Sequence, residues 1–351
     1  MDDRPLVGEA SNPPAGWAGT VPGFPRLHEQ YDIVVVGGGH AGLQAALKGA
    51  LLLYSVALID RGPKYSRSYY APHMVNIPGF PNGISGHRLL DQQIAAVRAH
   101  EDRVGYITPA TVTSVASAEG GFTVTFDWLK QTHAVRSRVV ILAMGVVDRI
   151  PVVGGKIDPI FPWANQAIVD FCILCDGWDL VDRSVAVIGH DAFAARTVLD
   201  VLAFRPKSVE LLTHGHPFLE GVPEPDRSTL ASTLEHHGVP VVTGEMVGFD
   251  GIREKAFGVR FADGSQRTYD RGFSALGWYT MHATIPRTLG CRFDPDGYVV
   301  TDEDCRAISD ATGEPVPGLY CIGDQRNGWN QIPEAWATAE RAIVHVWASY
   351  L

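Results

Sequence analysis

The chain has 351 residues, of which 46% are hydrophobic and 19% are charged, and its net charge is −10 at pH 7. This length suits two domains, and the composition is that of a globular protein rather than a disordered or fibrous one. The acidic charge argues against nucleic acid as a partner, because a phosphate backbone would bind against the field of the protein. No apolar run approaches the ~20 residues that span a bilayer, so we expect a soluble protein with no membrane partner.

The stretch from Met1 to Glu29 is rich in proline and lacks the basic start and apolar centre of a secretion signal. We expect it to form a flexible or surface-draped arm. The five cysteines are an odd number, and only Cys172 and Cys175 are close in sequence, which argues against a disulfide scaffold. A reducing, cytoplasmic location fits this cysteine usage best.

The first motif follows the short β-branched run from Tyr31 to Val36 and has the sequence GGGHAG at residues 37–42. Gly37 permits a tight turn, Gly39 lets the backbone approach a pyrophosphate, and Gly42 lets a helix pack on the strand. The residues that follow are helix formers, and a helix N-terminus offers free N–H groups to phosphates. This order of strand, glycine turn and helix predicts a dinucleotide site.

The segments after this turn complete a first sheet. The next predicted strand ends in Asp60, where an acid can bond a ribose hydroxyl. A loop-rich passage leads to an amphipathic helix from about Gly86 to His100. Three strand-like runs then predict a β-meander: Tyr106 to Val115, Phe122 to Phe126 and Val139 to Leu142. The small residues Ala143 and Gly145 suit a second close approach to a dinucleotide.

Cys172 and Cys175 are separated by two residues, and Asp176 follows directly. This spacing lets both sulfurs meet across the first turn of a helix, which suits a dithiol/disulfide couple. A single CxxC could also be half of a zinc site, but the sequence has no second CxxC or CxxH. The residues that could complete such a site are Cys291, Cys305, Cys321, His236 and His237. Otherwise the three cysteines are expected to be structural or surface thiols, and His214, His216, His236 and His237 to be solvated.

A second unit repeats the nucleotide-binding order, with a strand from Ser184 to Ile188, a turn, a helix and a strand from Ser208 to Thr213. In this turn only the first glycine remains, and Asp191 stands at the position of the second. A carboxylate there adds bulk and a like charge facing a pyrophosphate. The residues after Thr213 offer neither an acid for a ribose nor an arginine pair for a 2′-phosphate. We therefore expect that neither NADPH nor NADH is the direct reductant.

The last third of the chain contains an Asp263-Gly264 turn that favours a hairpin. Phe273 to Leu276 is predicted to be a strand that carries the chain back to the first domain. Gly318 to Asp324 is predicted to be a strand that ends at an acid, and Gln331 to Trp347 a helix.

Together these motifs resemble the low-molecular-weight thioredoxin reductase family, from Tyr31 to the end of the chain. The motifs that carry the resemblance are the first glycine turn, Asn76 to Phe80, Gly83 to Gly86, Cys172 to Gly177, and Gly323-Asp324. The resemblance implies an α/β fold of two nested Rossmann-like dinucleotide-binding domains in a homodimer, with FAD in the outer domain and normally NADPH in the inner one. The expected boundaries are an arm at 1–29, an FAD-binding domain at 30–148 and 273–351, and an inner unit at 149–272. Because the inner turn departs from the pattern, the chain is most similar to pyridine-nucleotide-independent members, such as ferredoxin-linked or deeply rooted thioredoxin reductases.

The resemblance also implies residue roles. Cys175 would contact the flavin, Cys172 would exchange with the substrate disulfide, and Asp176 would be the acid/base for the thiol proton. Asp324 would bond the ribityl chain, and the helix that begins near Gln331 would aim its N-terminus at the flavin. The residues expected to bind FAD are Gly37, Gly39, His40, Ala41, Gly42, Asp60, Arg61, Asn76, Val112, Ala143, Gly145, Gly323, Asp324, Gln331 and Ile332.

The function that this resemblance implies is an FAD-dependent disulfide oxidoreductase that reduces thioredoxin or a similar dithiol protein, with ferredoxin as a candidate electron donor. Two alternatives stay open: a dithiol oxidase that forms disulfides in a small molecule with oxygen as acceptor, and a redox-sensing FAD protein without turnover. Trp329, Trp347 and Tyr350 are expected either to pack in the core or a dimer contact or to stack on the flavin.

Overall fold

The computed structural model describes residues 27–252, 255–280 and 283–349. The predicted arm therefore lies outside the described residues, apart from Leu27 to Glu29. The strands are β1 (Gln30–Val36), β2 (Val56–Ile59), β3 (Val104–Ile107), β4 (Ala110–Ala118), β5 (Gly121–Trp128), β6 (Gln131–Leu142), β7 (Val146–Asp148), β8 (Val169–Asp170), β9 (Ser184–Ile188), β10 (Ser208–Leu212), β11 (Val241–Val242), β12 (Met246–Asp250), β13 (Phe257–Phe261), β14 (Gln266–Tyr269), β15 (Arg271–Ser274), β16 (Trp278–Thr280), β17 (Arg306–Ile308) and β18 (Pro315–Cys321).

The α-helices are α1 (His40–Leu51), α2 (Gly86–Arg98), α3 (Phe161–Ala164), α4 (Ile173–Asp176), α5 (Ala192–Ala203), α6 (Asp226–His236), α7 (Thr284–Thr288) and α8 (Ile332–Ala348). Short 3-10 helices lie at Pro63–Tyr65, Asp158–Ile160, Gly177–Leu180 and Gly323–Gln325. Within the described ranges, no helix is both long enough and apolar enough to cross a membrane.

The chain divides into two compact units. The first contains residues 27–69, 86–147, 280 and 283–349, and the second contains 70–85, 148–252 and 255–279. The chain passes between the two units at 69/70, 85/86, 147/148 and 279/280.

The first unit is built on an eight-stranded sheet with the order β17-β18-β6-β1-β2-β3, to which the β4-β5 hairpin is added through β6. The pairs β18-β6, β6-β1, β1-β2 and β2-β3 are parallel. Alternate residues of β1 enter different cores, because side chains of a strand point to opposite faces. Ile33 and Val35 pack against α1, α2 and α8, whereas Val34 and Val36 pack against the meander formed by β4, β5 and β6.

The second unit contains a five-stranded parallel sheet with the order β11-β10-β9-β15-β8. Val185 and Val187 of β9 join a core with α5 and α6, and Ala186 and Ile188 join a core with the antiparallel sheet β12-β13-β14. The predicted Asp263-Gly264 hairpin is confirmed, because β13 and β14 pair antiparallel on either side of it.

Three details differ from the sequence-based expectations. The run from Tyr106 to Val115 is two strands, since the chain breaks at Thr108-Pro109 between β3 and β4. The prediction that Phe273 to Leu276 returns to the first domain is wrong, because β15 pairs in parallel with β9 of the inner sheet. The loop passage at 70–85 groups with the second unit, and the return to the first unit comes after Tyr279 rather than at 272/273.

Candidate functional site

The glycine turn after β1 contains two close backbone approaches. A Cβ at Gly37, whose φ is +105°, would lie 2.4 Å from the carbonyl oxygen of Ala143. A Cβ at Gly42 would lie 1.8 Å from the carbonyl oxygen of Gly37, so α1 can begin against the turn only because glycine stands there. At Gly39, by contrast, φ is −74° and a Cβ would meet only Ser66 Oγ, at 3.8 Å. The side of Gly39 on which a Cβ would stand is therefore uncrowded, as a ligand approach requires.

Asp60 holds this turn in place from the end of β2. Its Oδ1 accepts a hydrogen bond from the Gly38 N–H at 3.0 Å, and its Oδ2 accepts one from the Gly62 N–H at 2.9 Å. The Tyr106 hydroxyl donates to the same Oδ2 at 3.3 Å. Both oxygens are thus engaged within the protein, and a ribose hydroxyl would have to share them. The predicted ribose bond of Asp60 stays a prediction.

His40 opens α1, but its side chain serves the fold. Its Nδ1 lies 2.5 Å from Gln93 Oε1, and its Nε2 lies 2.6 Å from Ser68 Oγ. Burial lowers the pKa of His40 to about 4, so the ring is neutral at pH 7. The N–H groups of the first turn of α1, which include those of His40 and Ala41, have no acceptor within the helix, and no side chain caps them. A ligand at this turn would therefore meet backbone donors.

The segment after β18 comes close to the start of α1. Gly323 has a φ of +62°, its N–H donates to Thr338 Oγ1 at 3.0 Å, and a Cβ there would lie 2.9 Å from the Ala41 Cβ. Asp324 Oδ2 lies 3.5 Å from the guanidinium of Arg67. The structure therefore brings the predicted residues Gly37, Ala41, Gly42, Ala143 and Gly323 together in one cradle.

Gln325, which the sequence analysis missed, completes this region. It is 1% exposed, and its side-chain oxygen accepts a hydrogen bond from the Met144 N–H at 3.0 Å. Its side-chain nitrogen is buried without a hydrogen-bond partner. Because such an unsatisfied group costs ~1–3 kcal/mol, an acceptor on a bound ligand would satisfy it. The signal in the sequence that could have identified Gln325 is its position directly after the Gly323-Asp324 motif.

The other predicted cofactor residues lie in varied surroundings. Gln331 is the N-cap of α8 and Ile332 is its first residue, and the N-cap side chain makes no capping hydrogen bond. Pro333 follows and has no N–H, so this helix start has fewer backbone donors than the start of α1. A Cβ at Gly145 would meet nothing within 4 Å. Arg61 lies 4.5 Å from the ring centroid of Tyr65, and Val112 lies opposite Phe126 in the meander. Asn76 belongs to the second unit.

Of the aromatic residues near the C-terminus, Trp329 is 72% exposed and Trp347 is 41% exposed. Neither packs in the core of its unit, so the dimer-contact and flavin-stacking alternatives stay predictions for both. Tyr350 lies outside the described residues.

Cys172 and Cys175 form a disulfide, with their Cα atoms 5.3 Å apart. Cys172 has extended backbone and is the N-cap of α4. Its carbonyl oxygen accepts hydrogen bonds from the N–H groups of Cys175 and Asp176, at 3.0 and 3.1 Å. The single helical turn therefore brings the two sulfurs into bonding range, as the spacing predicted. The zinc alternative for this pair does not hold, since the thiols are joined and Cys291, Cys305 and Cys321 are each buried and free.

An acidic group accompanies the disulfide. Burial, and then the charge of Asp179, raise the pKa of Asp176 to about 6. Asp170, two residues before Cys172, also has a raised pKa, caused by burial and then by Asp176, although Arg271 acts against it. Arg271 forms an ion pair with Asp179, with 2.6 Å between Nη2 and Oδ2. Asp176 thus titrates near neutral pH, as a proton donor and acceptor must. The sequence analysis missed Asp170, which only its position before the CxxC would have suggested.

The turn after β9 differs in chemistry from the turn after β1. Asp191 is the N-cap of α5, and its Oδ1 accepts a hydrogen bond from the Ala194 N–H at 3.0 Å. A carboxylate therefore occupies the helix N-terminus at which a nucleotide pyrophosphate would bind. Gly189 is still required for packing, because a Cβ there would lie 2.5 Å from the carbonyl oxygen of Ala275.

Comparison with known proteins places these features in a family context. The family model for pyridine nucleotide-disulphide oxidoreductases matches residues 31–341. The bifunctional thioredoxin reductase/thioredoxin of Mycobacterium leprae is 26% identical over 313 residues, which cover 86% of this chain and 61% of that protein. This chain therefore spans less than two thirds of that relative. The thioredoxin reductase of Treponema pallidum is 24% identical over 332 residues, which cover 93% of this chain and 98% of that protein.

Solved structures share the fold. The thioredoxin reductase of Streptococcus pyogenes superimposes with a TM-score of 0.75 at 21% identity, over 92% of this chain and 98% of that one. The structure of HlmI superimposes with a TM-score of 0.74 at 22% identity, over 93% of this chain and 95% of that one. The predicted α/β fold with two Rossmann-like units is thereby confirmed. Since the family model extends over both units and the Cys172–Cys175 disulfide, the chain belongs to the pyridine nucleotide-disulphide oxidoreductase family.

Proposed function

We propose that this protein is an FAD-dependent disulfide oxidoreductase that reduces thioredoxin or a similar dithiol protein, and that its direct electron donor is neither NADPH nor NADH. The observation that carries the proposal is the Cys172–Cys175 disulfide at the start of α4, with Asp176 titrating near pH 6 beside it. The relatives in Mycobacterium leprae and Treponema pallidum are named thioredoxin reductases, which supports the substrate class. A ferredoxin-type iron–sulfur protein is the proposed donor. A cytoplasmic homodimer stays a prediction.

FAD fits the cradle in the first unit. The N–H groups at the start of α1 would hold its pyrophosphate, next to the open approach at Gly39. The unpartnered side-chain nitrogen of Gln325 and the N-terminus of α8 supply further donors. When bound, FAD would supply the electron pair that reduces the disulfide. Asp324, next to Arg67, is the residue that we propose for the ribityl chain.

The open approach at Gly39 leads to a prediction. In a Gly39→Ala variant, the new methyl group would meet only Ser66 Oγ at 3.8 Å and the φ of −74° suits alanine, so the fold should be preserved. The methyl would, however, stand where the pyrophosphate approaches. We expect a thermal unfolding midpoint of the FAD-free protein within about 2 °C of the wild type, and a clearly lower ratio of flavin to protein absorbance after purification. An unchanged flavin content would contradict the proposed location of FAD.

The residues of the second unit provide the proton chemistry. Reduction of the disulfide takes up two electrons and one proton, and leaves one thiol and one thiolate. We propose that Cys175 accepts the electrons and becomes the thiolate, and that Asp176 donates the proton to the departing sulfur of Cys172. Asp176 takes this proton back when Cys172 attacks the substrate disulfide as a thiolate. The raised pKa of Asp176 makes it a carboxylic acid below about pH 6 and a carboxylate above it.

This proton donation predicts a pH dependence in one direction. When a chemical reductant is added to the oxidised protein, the reduction of the disulfide should slow as the pH rises through about 6, because the acid form of Asp176 is lost. Asp176→Asn should slow this step about 100-fold and remove the dependence. Stopped-flow absorbance between pH 5 and 8 would measure both effects. Asp182→Asn, the same change at an exposed position with a φ of +58° that asparagine tolerates, is the matched control. An Asp176→Asn rate equal to that of the control would exclude this role.

The function itself is tested by supplying electrons from a photoreduced donor. We expect insulin-linked turnover of thioredoxin and little oxygen consumption with small dithiols. Oxygen consumption with dithiols in place of thioredoxin turnover would instead identify a dithiol oxidase. No turnover in either assay, with a redox-dependent change in partner binding, would identify a redox sensor.

A further inference from the structure

Three side chains at the inner turn converge on one point. His190, directly after β9, and His216 and Glu220, in the loop after β10, place one potential ligand atom each within 4.8 Å of one another. Among the described residues, this is the one group of three histidine, cysteine or acidic side chains with such spacing. His190 is half-buried, whereas His216 and Glu220 are exposed, so the group is open to solvent on one side.

The backbone holds these side chains together. The Leu219 N–H donates a hydrogen bond of 2.6 Å to the carbonyl oxygen of His190, which ties the loop to the turn. Leu219 is 1% exposed and belongs to the core around α5, so this loop is anchored from within. The rings of His190 and His216 stack, with their centroids 4.1 Å apart and their planes 15° from parallel. The loop backbone is therefore held against the turn, and the two histidine rings contact each other.

The nearby His214 is not part of the group. Its Nδ1 accepts a hydrogen bond from the Met246 N–H at 3.0 Å, so its Nε2 carries the proton and donates to the carbonyl oxygen of Val152 at 2.8 Å. Both of its nitrogens are committed to the fold, which corrects the expectation of a solvated ring. His190 differs, because its Nδ1 is buried without a hydrogen-bond partner. The fold therefore does not use this nitrogen of His190, in contrast to both nitrogens of His214.

We propose that His190, His216 and Glu220 bind one divalent transition-metal ion, and that zinc is the ion that fits best. Two imidazoles and one carboxylate are a ligand set that zinc accepts, with a solvent molecule in the fourth position. Ligands at ~2.0–2.2 Å from a tetrahedral ion lie roughly 3.3–3.5 Å apart, so the three ligand atoms would move together by about 1 Å. The two rings, whose planes are 15° from parallel, would also turn out of their stack so that a nitrogen of each faces the ion. Calcium and magnesium are excluded, because they prefer oxygen ligands.

The bound ion would tie the loop after β10 to the turn after β9, where a Rossmann-like unit otherwise receives a pyrophosphate. It would be a structural or regulatory ion, since it has no place in the electron transfer proposed above. The inference does not depend on the identity of the electron donor. A failure of zinc binding and a failure of thioredoxin turnover would therefore be separate results.

Isothermal titration of the tag-free, air-oxidised holoprotein with zinc tests this proposal, because oxidation keeps Cys172 and Cys175 in their disulfide and unable to bind metal. We expect one ion per chain. His216→Ala and, separately, the shape-preserving Glu220→Gln should each weaken zinc binding by at least about tenfold, since even outer partners of a metal ligand are worth that much. Both residues are exposed, so neither change should affect folding. Cobalt titration should give a visible tetrahedral spectrum that the His216→Ala variant loses.

His236→Ala is the matched control, because it removes an exposed histidine that also has a histidine neighbour, His237, with ring centroids 5.4 Å apart. It should bind zinc as the wild type does. The proposal is overturned if the wild type binds no zinc, if His216→Ala binds it as well as the wild type, or if His236→Ala is the variant that loses it.

Discussion

A Cys172→Ser variant is expected to lose thioredoxin-reducing turnover by at least a factor of about 1,000 while keeping its FAD. The disulfide with Cys175 is the only route that the proposed mechanism gives for electrons to leave the protein, and a serine hydroxyl cannot form it. The remaining Cys175 would stay a thiolate beside oxidised flavin. This should appear as a long-wavelength charge-transfer band in the absorbance spectrum, and insulin-linked turnover with a photoreduced donor measures the loss.

Cys291→Ala is the control for this experiment, since it removes a cysteine that is buried, free and outside the second unit. It should keep its turnover and show no new band. If Cys172→Ser and Cys175→Ser each retain full disulfide-reducing turnover, Cys172 and Cys175 are not the redox pair.

The second large effect that we expect is the absence of a reaction with pyridine nucleotides. At an effective dielectric constant of ~20, two unit charges ~4 Å apart repel by about 4 kcal/mol, which corresponds to roughly a thousandfold weaker binding. Asp191 would impose this repulsion on a pyrophosphate. In the structure its carboxylate also bonds the Ala194 N–H, one of the donors that a pyrophosphate would use. The stacked rings of His190 and His216 flank the same turn.

Anaerobic mixing of the oxidised protein with excess NADPH, and separately with NADH, measures this effect through the flavin absorbance. We expect the oxidised spectrum to persist, and dithionite or a photoreduced donor to bleach it. Dithionite is also the control that the flavin is competent for reduction. Bleaching within seconds at micromolar NADPH or NADH would refute the proposal that neither nucleotide is the direct electron donor. The function would then be that of an ordinary thioredoxin reductase.

The features that could be predicted from the sequence alone are those that depend on neighbouring residues. Gly37 and Gly42 were identifiable because the turn they form is local, and the backbone contacts at 2.4 and 1.8 Å require glycine. The Cys172–Cys175 disulfide was identifiable because one helical turn is enough to bring its sulfurs together. The replacement of the second glycine by Asp191 could also be identified from the sequence, since it concerns one position of a turn whose pattern is known.

Features that depend on strands distant in sequence could be assigned only from the folded chain. The strand at Phe273 could not be assigned to a sheet from its composition, because a β-branched or aromatic run suits either sheet until its partner is known. The same holds for Asp60, whose oxygens are engaged by Gly38 and by Tyr106, 46 residues further along the chain. The structure shows that this carboxylate also supports the turn, while its bond to a ribose stays a prediction.

The groups of charged and metal-binding side chains arise in the same way. After burial, Asp179 raises the pKa of Asp176 and Asp176 raises the pKa of Asp170. These groups meet because a short strand and a helical turn fold against Arg271 of a strand far along the chain. His190 and His216 are separated by a helix and a strand, and they meet because parallel strands end at the same edge of a sheet. Local propensity carries no information about such meetings, since they depend on which strands pair and in which register.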